Sequence, residues 1–119
     1  MHVPEIPDKA VLLIVDKNYK KYGDYYTAAY YAWRVRKSRV KKADYVFAVC
    51  DWTIRKVFKV TEWLPAMRDY FPDRDPMPGR YGFVGHEAPQ KIQDRYVGMP
   101  VPDRMRTPGA RNPVRYANC

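Results

Sequence analysis

The chain has 119 residues, one domain's worth, and 46% of them are hydrophobic, which supplies a real core and excludes wholesale disorder. No run approaches the roughly 18 apolar residues of a membrane span, and Glu5 and Asp8 leave no apolar leader at the N-terminus, so a cytoplasmic location is expected. The net charge of +9 is uneven: residues 17–42 hold nine Lys or Arg against one acid, Asp24, and residues 104–119 hold four arginines and no acid.

In chain order, the apolar run Ala10–Val15 predicts a buried strand. Residues 16–23 read as a polar connection closed by Gly23. Asp24 is placed to cap a helix running to about Val35, with Tyr26, Ala29, Tyr30 and Trp33 recurring on one face, as core residues do. Tyr25, Tyr31 and Arg34 fall off that stripe and are expected at its rim. Ser38 is placed to cap a short turn through Lys42. Residues 44–50 are apolar on both faces and predict a central strand. Asp51–Trp52 is a tight turn, and residues 53–63 return beside that strand as a hairpin. Residues 66–71 predict a short helical turn, and the three prolines and glycine of residues 72–79 a loop. A further strand covers 80–84, and Pro89 opens a helix through about Tyr96. Prolines recur from Met99 onward, so 99–119 read as an irregular basic strap within a single domain, 1–119. This order predicts an α+β fold: a small, mostly antiparallel sheet or barrel with two or three helices.

The dense cations Arg34, Arg36, Lys37, Arg39 and Lys41 repel one another unless an anion neutralises them, so they are expected to contact phosphates. Tyr31, Trp33 and the turn residue Trp52 are candidates for stacking on bases. Strict alternation puts Ile54, Phe58 and Val60 on one face of the hairpin together with Lys56. Either a bulge shifts the register there or Lys56 points into a cavity to meet a polar ligand. Arg111, Asn112 and Arg115 offer fork and amide donors suited to phosphates or base edges. If the early and C-terminal basic segments share one face, they form one anion site. Catalysis finds no support: His2 is terminal, His86 stands beside Glu87 without partners, and no spacing fits a metal, a phosphate loop or a nucleophile with its base. No cofactor is expected.

The stretches Tyr25–Val35, Arg39–Val49, Arg55–Trp63, Gly79–Gly85 and Asn112–Tyr116 resemble small uncharacterised bacterial and phage domains that occur as accessory modules beside GIY-YIG nucleases. No Gly-Ile-Tyr or Tyr-Ile-Gly pair occurs, so nuclease activity is not implied. The hairpin of Tyr45–Val49 and Val57–Trp63 also resembles the PUA-like superfamily, whose ASCH and EVE domains bind RNA or modified bases. That resemblance implies a binding module rather than an enzyme. The expectation is a non-catalytic nucleic-acid-binding module with a basic and aromatic face. The alternative is a protein that sequesters a small or cyclic nucleotide, of phage origin and oligomeric.

Overall fold

The computed structural model describes residues 5–106 and 112–119. Its frame is one open five-stranded sheet: β1 (Ala10–Ile14), β2 (Tyr45–Cys50), β3 (Thr53–Pro65), β4 (Tyr81–Glu87) and β5 (Val114–Ala117), in the order β4-β3-β2-β1-β5. Only β1 and β2 are parallel; the other pairings are antiparallel. Of the two expected forms of the α+β class, sheet and barrel, the open sheet is realised. Helices cover both faces, which is why the central strands are apolar on both sides. On one face α1 (Asp16–Tyr22), α2 (Tyr25–Ala29) and α3 (Lys37–Val40) pack over Val11, Leu13, Val46, Ala48, Phe58 and Phe83. On the other, α4 (Gln90–Tyr96) and a 3-10 turn (Asp103–Met105) cover Leu12, Phe47, Val49, Ile54 and Val57. Each fully buried Phe or Leu contributes on the order of 1.5–3 kcal/mol. Among the described residues no helix is long and apolar enough to cross a membrane.

The predicted strands and the helix after Pro89 are present, the latter with Pro89 as its cap residue. The connecting segments differ. Residues 16–22, expected as a connection, form α1; Gly23 ends it in the left-handed conformation at φ 71°. Its polar surface hides a tertiary anchor, the Tyr19 ring stacked on Tyr25 at 4.0 Å. The helix that Asp24 caps, through Thr27 N–H at 2.9 Å, stops at Ala29 instead of Val35. Beyond it the backbone pairs with β4: Trp33 and Tyr81 exchange N–H···O bonds of 2.8 and 2.9 Å, and Phe83 N–H donates to Tyr30 O at 2.9 Å. A long-range ladder replaces the local helical bonds, and it also covers the outer edge of β4. Ser38 lies inside α3 and does not cap it; Arg36 occupies that position with no side-chain bond.

The hairpin closes with Asp51 and Trp52 at φ 53° and 52°, the two-residue turn whose twist suits paired strands. Its register shifts between Ala48 and Val49: Ala48 pairs with Lys56 and Val49 with Ile54, leaving Arg55 as the extra residue. This bulge overturns the shared face of Ile54 and Phe58. Ile54 faces α4, whereas Lys56 and Phe58 face α2. The C-terminal residues are not all irregular either, since Val114–Ala117 add to the sheet beside β1.

Candidate anion-binding cleft

β1 ends directly at the start of α1, so Ile14, Lys17 and Asn18 form one wall of a cleft of about 600 Å³. The extended residues Ala32, Trp33 and Arg34, held by their ladder with Tyr81, form a second wall. Arg80 enters from the residue before β4, and Asn112 and Pro113 close the cleft from the segment before β5. Four separate parts of the chain thus place three cations and two amides around an apolar floor, and no carboxylate lines it.

Local bonds set what these groups present. Asn18 Nδ2 donates to Ala28 O at 3.1 Å, which leaves its Oδ1 as an acceptor. Asn112 Oδ1 accepts from Val114 N–H at 3.1 Å, which leaves its Nδ2 as a donor. Trp33 is buried and its indole N–H donates to Ala29 O at 2.7 Å, so its ring is fixed. Arg80 touches a main-chain oxygen only at 3.5 Å, Ala32 O. The ion pairs among the described residues are Lys56–Glu87, Arg68–Asp75, Arg95–Asp8, Arg104–Glu5 and Arg106–Asp103. None of them takes a cation from residues 17–42 or Arg80. The cations of α1, residues 34–42 and Arg80 are thus uncompensated by ion pairs among the described residues, and such charge attracts anions.

The predicted site residues divide. Arg34 lines this cleft and is exposed; Trp33 contributes to its wall but is not a free rim aromatic. Arg36, Lys37 and Lys41 are exposed nearby on α3 and its entry. Arg39 is turned inward: its Nε and Nη2 donate to the Cys119 main-chain oxygen at 2.7 and 2.5 Å, and its guanidinium lies 4.1 Å from the Tyr116 ring centroid. Tyr31, expected at the rim, is 3% exposed and donates to Asp75 O at 2.5 Å. Burial, its largest influence, pushes the Tyr31 phenol above its usual range. Trp52 folds back against the α4-side core, away from the cleft.

Arg115 pairs with Leu12 and so faces α4, where its Nε donates to Met105 O at 2.9 Å and its Nη1 covers Val114 O at 3.0 Å. Together with Arg104 and Arg106, bound to Glu5 and Val101 O, it lies across the sheet from Arg34. The described arginines of the two basic segments therefore do not share one face, although Asn112, Pro113, Tyr116 and Cys119 meet the early one. Arg111 lies outside the described residues.

The expected bulge is present, and Lys56 lies beyond it. The bulge directs it into a cavity of about 540 Å³ beside Tyr25, Tyr26 and Phe58, where it pairs with Glu87 at 2.7 Å. Asp24 also lines that cavity, its carboxyl held below the usual range by the Thr27 N–H and hydroxyl. With two carboxylates in its wall, this cavity suits an anion less well than the cleft.

Composition alone did not distinguish Lys17, Asn18 and Arg80. Arg74 also went unmarked: its guanidinium lies 4.9–5.3 Å from the Tyr22, Tyr30 and Tyr31 ring centroids and donates to the Tyr22 hydroxyl at 3.1 Å. The tyrosines of the basic window thus meet a cation, but one from a distant loop. Among the described residues no group of three or more His, Cys, Asp or Glu side chains is placed to hold a metal ion. No family model, no curated protein and no solved structure matches the chain.

Proposed function

We propose that the chain is a non-catalytic nucleic-acid-binding module that seats a phosphate-bearing nucleotide in the cleft between α1, residues 32–34 and Asn112. The observation that carries this reading is the convergence of Lys17, Arg34 and Arg80 on one recess of about 600 Å³ with no carboxylate in its wall. The cations would take the phosphate, with Arg34 and Arg80 offering planar forks to its oxygens. Ile14, Ala32, Trp33 and Pro113 supply apolar surface for the base. The free acceptor of Asn18 and donor of Asn112 suit polar groups on a base edge.

Fluorescence anisotropy with labelled single- and double-stranded DNA and RNA tests this. Binding should weaken with salt with a log–log slope of about −0.7 or steeper, because each phosphate neutralised releases most of a counterion. The double variant R34A/R80A should bind at least about tenfold more weakly. No detectable binding to any of these ligands at ~50 mM salt rejects the reading. A free-nucleotide pocket is the second reading, favoured by the bounded size of the cleft. A nucleotide panel in thermal unfolding separates it, since a ligand at about 100 times its Kd stabilises by about 2.7 kcal/mol.

A further inference from the structure

We infer that the ligand is an extended single strand of nucleic acid, because α3 carries a second basic subsite next to the first; this rests on the phosphate-binding reading of the cleft above. A recess of about 540 Å³ lies between α3 and the last residues of β3, with Lys37, Lys41, Trp63 and Tyr70 in its lining. Lys37 and Lys41 are one helical turn apart and therefore on one face, both exposed and outside every ion pair among the described residues. Tyr70 is 49% exposed, a large ring facing solvent. Glu62 is the one acid in this lining.

The two recesses are close along the chain. Arg34 lines the first and Lys37 the second, and exposed Arg36 stands between them. Three extended residues span at most about 10 Å, and the helical step from Lys37 to Lys41 adds about 6 Å. A single strand that keeps the stacked rise of about 3.4 Å per phosphate would meet this track with about four phosphates, and a more extended one with fewer, the short end of known single-strand sites. A mononucleotide in the first cleft leaves Lys37 and Lys41 with Glu62 as the one acid in their recess. A duplex keeps its bases paired, so it has none to lay on Tyr70, whereas an unpaired base stacks there whatever its identity.

The test is anisotropy with labelled oligothymidylates of one to twelve nucleotides and a matched duplex, on the wild type and three variants. Wild-type affinity should rise at least about tenfold from one nucleotide to about four to six and then level off. K37A/K41A should flatten the gain with length and reduce the single-strand salt slope by about 1.4, two contacts' worth. Y70A should weaken the longer strands by at least about fivefold, and R34A/R80A should weaken every length. Thermal unfolding confirms that the variants fold. If thymidine monophosphate binds as tightly as the twelve-nucleotide strand, or the duplex binds as tightly as the single strand, the inference is overturned while the cleft reading stands. If no ligand binds at low salt, both are overturned.

Discussion

Arg39 and Arg34 sit five positions apart in the same basic stretch and do opposite things. Arg39 holds the C-terminal residues through the Cys119 oxygen and the Tyr116 ring, whereas Arg34 makes no ion pair among the described residues and opens on the cleft. R39A is expected to lower stability by about 1–2 kcal/mol in urea unfolding, since two hydrogen bonds from a half-buried charge are lost. R34A/R80A should change stability by less than about 0.5 kcal/mol while weakening nucleic-acid binding. Tyr96 carries a different signature. Burial first, and then its bond to the Asp8 carboxylate, push its hydroxyl up to about 12. A raised folded-state value means that the neutral phenol belongs to the fold. Its contribution is complete below about pH 10, the ordinary tyrosine value, and is lost as the pH rises from there to about 12. Urea midpoints of wild type and Y96F, compared from pH 8 to 12, should converge across that window.

At the scale of elements, short helices are held by the sheet. A helix the length of α4, seven residues, is marginal in isolation. Buried Gln93 docks it by accepting from Val57 N–H at 3.0 Å and donating to Val57 O and Ala88 O at 2.6 and 3.1 Å. Q93A leaves Val57 N–H and Ala88 O unpaired, while Val57 O keeps the Ala88 N–H at 3.0 Å, and should destabilise by about 2–4 kcal/mol in urea unfolding. The β3–β4 pairing has its own tight point: a Cβ on Gly85 would stand 2.2 Å from Lys59 O, next to the second register shift, between Val60 and Glu62. G85A should therefore destabilise by more than about 2 kcal/mol, because main chain has to move. Element type was readable for β1 to β4 and for α4, where apolar runs and turn residues agree, but not for β5, which lay in a segment read as an irregular strap. Element ends were not: α2 stops at Ala29 because residues 30–33 bond to β4, a partner some fifty positions later. The Arg55 bulge likewise leaves no local mark, so alternation assigned Ile54 to the wrong face.

In the molecule as a whole, the ion pairs are unevenly placed. The ion pairs lie with β3, β4, α4, the 72–79 loop and the C-terminal turn, whereas the cations of α1 and α3 stand unpaired among the described residues. The edges are managed too: residues 30–33 cover β4, and β5 covers β1, with Arg115 and Asn112 occupying main-chain groups of β5. Ending the chain at Pro113 should expose the β1 edge and give concentration-dependent aggregation in light scattering. The sequence by itself determined the α+β class, the central hairpin, the core role of Tyr26 and Ala29, and the basic excess of residues 34–42, because periodicity and local charge depend only on near neighbours. Only the tertiary structure decided which cations work together. It brought Lys17 and Arg80 to Arg34, turned Arg39 inward and sent Arg115 across the sheet, because strand register and bulges, set by long-range pairing, choose the face on which each side chain emerges.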